Sequence, residues 1–168
     1  KYILLGLSMK VVIANNIGIY VDDIFNNYTN LFGGTLVLGA ILFSIQIYCD
    51  FCGYSMIAIG VAKIMNFKLS KNFDTPYFSS SIKEFWRRWH ISLSTFFKDY
   101  VFIPLGGSKL RNKFLLMRNI LITFILSGIW HGANWTFIFW GLLNGLLLCF
   151  QNTFKYSLPN LISRLLTL

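Results

Sequence analysis

Charge is scarce in this sequence. Asp, Glu, Lys and Arg make up 12% of its 168 residues, against roughly 25% in soluble domains, which argues against a water-soluble globule. It carries no internal repeat and no low-complexity tract. Cysteine is equally sparse: Cys49 and Cys52 form a CxxC, but no second pair and no nearby His completes a zinc set. Both read as small apolar packing residues, and no metal site is expected. The paired glycines Gly33–Gly34 and Gly106–Gly107 lack phosphate-loop spacing, and neither a Ser/His/Asp order nor a paired-carboxylate pattern stands out. A basic n-region with a small-residue cleavage site is missing too. Lys1 leads straight into an apolar run without an initiator Met, so the sequence reads as an internal piece of a longer polytopic protein.

What the chain has instead is apolar bulk. Hydrophobic residues reach 55%, with 17 Phe, 8 Tyr and 5 Trp, and mean hydropathy is +0.59. Such a composition fits apolar spans with aromatic belts at the interfaces. Four hydrophobic stretches follow: 2–21, interrupted by Lys10, Asn15 and Asn16; 35–62; 114–131; and 135–150. About 20 apolar residues suffice to cross a bilayer. The expected fold is all-α, a multi-pass membrane protein with transmembrane, interfacial and re-entrant helices, read as one embedded unit over 1–168 whose N-terminal spans lie elsewhere.

The net charge of +9 is not spread evenly. Eleven of the 15 Lys and Arg lie between Lys63 and Arg118, whereas the polar loop 22–34 carries two Asp and no basic residue. That asymmetry points to a cytoplasmic 63–113 segment and an external 22–34 loop by the positive-inside rule, rather than to a nucleic-acid partner. The bilayer itself is the first partner implied, in the cell (inner or plasma) membrane.

Within the basic region, Ser81 and Glu84 have capping-box spacing, so a helix is expected to begin near Ile82. Pro104 and Gly106–Gly107 would stop it. At 100° per residue, Trp86, Trp89, His90, Leu93, Phe97 and Tyr100 share one face, with Glu84, Arg88, Thr95 and Asp99 opposite. This is the pattern of a helix lying at the membrane interface, aromatic side down. His90 falls on the apolar face. The other histidine, His131, sits in "LSGIWHGANWTFIFWG" between two apolar runs. A histidine on an apolar face can simply be a hydrogen-bonded packing residue. Yet ionisable groups at membrane depth are costly and mark functional sites by default, and imidazole is the side chain best suited to take a proton near neutral pH. Asp50, within the second stretch, is a further buried-charge candidate, with packing through a hydrogen bond to a Tyr or Trp as the alternative.

One helix over 114–150 would extend about 55 Å at 1.5 Å per residue, too long for a hydrocarbon core of about 30 Å. A break is therefore expected beside His131, with Gly132 as the joint and Asn134 as N-cap of a second helix starting at Trp135. The alternative is a simple hairpin turn at the outer surface.

Three segments, "DFCGYSMIAIG", "NFDTPYFSSSIKEFWRRWHISLSTFFKDYVFIPLGGSK" and "LSGIWHGANWTFIFWGLLNG", occur in that order. Together they resemble the membrane-bound O-acyltransferase family, and within it the bacterial alginate O-acetyltransferase branch. The resemblance runs from about Gly6 to about Gly145. It departs at Cys52 and Met56, where relatives commonly have Ser and Asp, and near Phe97 and Lys98, where they often have Trp and Arg.

The resemblance implies an enzyme that moves an acyl group onto a hydroxyl. The histidine of the WHG motif maps onto His131 as catalytic base, and that of RWHxS onto His90, lining the same path. Asp50, Tyr54, Trp86 and Arg88 are carried as candidates for the substrate path, as are Trp89, Trp130 and Asn134. No bound cofactor is implied; the acyl donor would be acetyl-CoA or another thioester. The acceptor would be an extracytoplasmic polysaccharide, or a periplasmic or extracellular acyltransferase partner that completes the transfer. The alternatives are D-alanyl transfer to teichoic acid by a related branch, whose members usually read "FWNRWHMSLS", and a non-catalytic transport component.

Overall fold

The computed structural model describes residues 1–108, 110, 112–132 and 134–154, and these are helical or irregular, with no strand among the described residues. They fall into two compact units, Lys1–Asn72 and the residues from Phe73 onward.

The first unit is a hairpin of two long helices. Helix α1 runs Tyr2–Asn26 and α2 runs Gly33–Ile64, joined by a single 3₁₀ turn at Tyr28–Asn30. Asp22 and Asp23 therefore lie inside α1, and the polar loop is shorter than the sequence suggests. The reason is local: helical hydrogen bonding continues to the end, where Asn27 donates to the Asp23 carbonyl and carboxylate, both at 3.0 Å. Helix α1 widens into π-helical geometry over Ser8–Ala14, the stretch holding Lys10. At 32 residues, α2 is about 48 Å long, more than a bilayer core requires. It ends in a Schellman motif: Phe67 donates to the Ala62 carbonyl at 2.7 Å and Asn66 to Lys63 at 3.2 Å. Asn66 takes the left-handed conformation, φ 61°, that this cap needs.

Small residues let α1 and α2 approach closely. A Cβ on Gly53 would sit 2.7 Å from the Gly6 carbonyl oxygen, and one on Gly60 would overlap Ile3, the close backbone packing typical of membrane helices. One turn beyond the Gly6–Gly53 contact, Lys10 and Asp50 form an ion pair. Asp50 is thus matched by a cation from α1, not by the Tyr or Trp hydrogen bond considered from the sequence, because the neighbouring glycines bring the two backbones within reach. Cys49 and Cys52 are buried free thiols.

The second unit begins with a 3₁₀ turn at Pro76–Phe78 and contains α3 Ile82–Arg88, α4 Ile91–Phe97, α5 Lys113–His131 and α6 Trp135–Phe154. The helix expected to start near Ile82 does so, with Ser81 Oγ accepting from Glu84 N. It does not run on to Tyr100. Trp89 is extended, with φ −99° and ψ 128°, and His90 is left-handed, with φ 44° and ψ 57°, so the chain breaks into α3 and α4. No Pro or Gly causes the break. Trp89 instead packs edge-on against Phe73, ring centroids 5.1 Å apart, and stacks on Phe85 at 5.5 Å. The single apolar face drawn from a helical wheel is therefore not present: Phe97 is buried, while Tyr100 is 72% exposed. Helix α4 passes into a π-helical turn over Lys98–Phe102, and Pro104 with Gly106 and Gly107 ends it as expected.

Helices α5 and α6 form a second hairpin. Gly128 packs against the Phe137 carbonyl oxygen and Gly141 against that of Phe124, leaving no room for a side chain at either position. Asn119 is fully buried and satisfied: it donates to the Leu105 carbonyl at 2.8 Å and accepts from Arg118 at 2.9 Å. That pair fastens the glycine turn to α5.

Three helices among the described residues are long and apolar enough to cross a membrane: Tyr2–Asn26, Gly33–Ile64 and Lys113–His131. Helix α6, the fourth hydrophobic stretch, is not one of them.

Candidate active site

Both histidines belong to the second unit, and each sits at a helix discontinuity. His90 occupies the left-handed joint between α3 and α4, a conformation uncommon outside glycine but more accessible to Asn, Asp and His. His131 is the last residue of α5, followed by Gly132 at φ 156° and ψ 159°. A break beside His131 is present, and there α5 and α6 turn back on each other as a hairpin, the form set out above as the alternative. Asn134 caps α6 as predicted, its Oδ1 accepting from Thr136 N at 3.1 Å.

Aromatic rings bring the two histidines together. Trp130 lies edge-on to His90 at 6.3 Å and edge-on to His131 at 5.1 Å. Phe73 stacks on the other imidazole-bearing joint, 6.5 Å from the His90 ring. Ser92 Oγ is 3.4 Å from His90 Nδ1. Burial holds the His90 pKa below the ordinary histidine value, and the nearby His131 pushes it down further, so His90 is neutral at physiological pH. His131 has three rings about it: Trp130, Phe137 stacked at 6.1 Å and Trp140 edge-on at 5.2 Å. The imidazole is otherwise exposed within this chain.

The remaining candidates divide. Trp86 packs edge-on against Phe124 at 5.2 Å and Trp140 at 5.6 Å, one ring removed from His131; its indole Nε1 is buried without a hydrogen-bond partner among the described residues. Trp89 fills the α3–α4 break. Arg88 is engaged structurally: it donates to Glu84 Oε1 at 2.7 Å and to Thr75 Oγ1 at 3.3 Å, while its carbonyl accepts from Asp74 N at 3.0 Å. Asp50 and Tyr54 belong to the first unit, where Asp50 pairs with Lys10 and Tyr54 is 61% exposed along an apolar groove that includes Ile57, Val61 and Phe67.

From the sequence Glu84 was visible only as a capping residue, and Phe137 and Trp140 were not singled out. Glu84 accepts from Ser80 N at 2.8 Å and Ser80 Oγ at 2.6 Å. These hydrogen bonds, with Arg88 beside it, hold its carboxyl down at about 2. The Ser80–Glu84 spacing was visible in the sequence. Phe137 and Trp140 were not, because a break of unknown angle at Gly132 erases the helical phase between them and His131.

Two imidazoles thus share one aromatic cluster at helix breaks, in a chain of long apolar helices. The chain belongs to the membrane-bound O-acyltransferase family, whose sequence profile matches residues 24–159. It is 41% identical over 170 residues to the peptidoglycan O-acetyltransferase of Helicobacter pylori, covering 97% of this chain and 32% of that protein. It is 44% identical over 150 residues to the probable alginate O-acetylase AlgI of Azotobacter vinelandii, covering 89% and 30%. With the teichoic acid D-alanyltransferase of Streptococcus thermophilus the identity is 36% over 156 residues, covering 87% and 38%. The chain thus spans about a third of the length of these relatives.

Proposed function

We propose that the protein is a membrane O-acyltransferase that moves acetyl from a cytoplasmic thioester, such as acetyl-CoA, towards hydroxyls of an extracytoplasmic polysaccharide. The observation that carries this reading is the convergence of His90 and His131 on Trp130. The higher identity to O-acetylating relatives than to the D-alanyl one supports acetyl as the group moved.

In this mechanism His131 is the general base. Its neutral ring nitrogen takes the proton of the acceptor hydroxyl as that oxygen attacks the thioester carbonyl. The tetrahedral intermediate collapses, the C–S bond breaks, and the leaving thiolate takes the proton back from the imidazolium. Proton transfer of this kind contributes about 10²–10⁴-fold in rate. His90, kept neutral by burial, adds no competing positive charge beside His131 and offers a hydrogen-bonding nitrogen along the path. The basic 63–113 segment faces the cytoplasm in this reading, where it attracts an anionic thioester donor. The acceptor is the polymer itself or a partner acyltransferase on the far side of the inner or plasma membrane.

Replacing His131 by Ala in the native host tests the reading. The ester-linked acetyl content of the envelope polysaccharide should fall to background while ester-linked D-alanine is unchanged. Loss of D-alanine alone would instead support the D-alanyl branch.

A further inference from the structure

Helix α6 follows the break at Gly132, yet two of its rings return to His131: Phe137 stacks on the imidazole at 6.1 Å with planes 27° apart, and Trp140 stands edge-on at 5.2 Å and 80°. One ring lies near-parallel and the other near-perpendicular to the imidazole, so together they oppose both its tilting and its sliding. Trp140 is also edge-on to Trp86 of α3 at 5.6 Å, which ties the clamp to the helix leading into His90. The backbone is arranged to permit this. Gly132 admits the Phe137 ring, since a Cβ there would lie 2.8 Å from Phe137 Cε2. The contact between Gly128 and the Phe137 carbonyl sets the height of α6 along α5.

We propose that Trp140, assisted by Phe137, is the positioning residue that fixes the ring orientation of His131, an inference that rests on the reading of His131 as general base. Terminal residues of a helix lack the packing of a following turn. An unsupported His131 would therefore sample several χ1/χ2 orientations, only one of which aims a nitrogen at the acceptor hydroxyl. Each aromatic contact is individually modest, but the stacked Phe137 and the edge-on Trp140 together favour one rotamer. Misplacement of a reacting group by about 1 Å can cost about 10²-fold.

The test uses the whole protein in native membranes, with Trp140→Leu, Trp140→Phe and, as a second site that leaves the α3 contact intact, Phe137→Leu. Trp140→Leu should lower kcat about 10²-fold with donor KM unchanged, and Trp140→Phe should restore most of it. A second readout does not depend on turnover: carbethoxylation of His131 by diethyl pyrocarbonate, followed by peptide mass spectrometry, should quicken in Trp140→Leu and Phe137→Leu while His90 reacts as in wild type. Unchanged carbethoxylation in both Leu variants, or equal loss of kcat in Trp140→Phe and Trp140→Leu, would overturn the proposal. If His131→Ala keeps full activity, the base reading fails, and the carbethoxylation rates still decide whether the clamp exists.

Discussion

Lys10 on α1 and Asp50 on α2 form an ion pair between two helices that are each long and apolar enough to cross a membrane. A lone charge in an apolar span is costly, and a buried ion left without its partner typically costs about 3–5 kcal/mol. The side chains are 37% and 48% exposed in this chain, so the cost here falls below that range. Lys10→Met should lower the melting temperature of the detergent-solubilised protein, and adding Asp50→Leu should recover part of the loss. Additive losses would show that the two charges do not interact.

The left-handed backbone of His90 gives a second prediction. His90→Asn and His90→Gly suit φ 44° and ψ 57°, whereas His90→Ala meets a left-handed penalty of about 1–2 kcal/mol. Thermal melts should rank Ala below both Asn and Gly. All three remove the imidazole, so acyl transfer should fall in all of them whatever their stability. An Ala variant as stable as Asn would mean that the α3–α4 joint relaxes at no cost.

Gly132 is held at φ 156° with the Phe137 ring against it. Gly132→Ala must shift either the backbone or that ring, at a cost of about 1–3 kcal/mol. Activity should fall at least as much as stability, because the displaced ring is one that rests on His131. Wild-type turnover in Gly132→Ala would show that the joint does not position the site.

Glu84 links stability to pH. Its carboxyl sits at about 2, below an ordinary value of 4.5. Its contribution is therefore complete above about pH 4.5 and lost as pH falls from there towards 2. Wild type should melt higher than Glu84→Gln at neutral pH, with the gap closing below pH 4.5. A gap that persists at low pH would assign the effect to shape rather than charge.

The sequence made the class of the fold legible, since composition and run length alone separate apolar spans from soluble helices. Local signals also held: the Ser81 cap, the stop at Pro104 and the glycine pair, the break at Gly132 and the Asn134 cap all rest on chemistry within four residues. Tertiary effects did not show. The α3–α4 break contains neither Gly nor Pro; it exists because Trp89 finds Phe73, sixteen positions earlier in the chain. Asp50 likewise found Lys10, forty residues away, because Gly6 and Gly53 let two backbones touch. Both histidines, and Trp130 between them, were picked out in apolar sequence, but Phe73, Phe137 and Trp140 were hidden behind the two breaks.

In the proposed mechanism His131 takes the proton of the acceptor hydroxyl. Its most direct measurement is single-turnover transfer from an acetyl thioester to a polysaccharide acceptor in vesicles bearing the whole protein, wild type against His131→Gln. The rate should fall by about 10²–10⁴-fold with donor binding retained. A His131→Gln protein that transfers acetyl at the wild-type rate would contradict it.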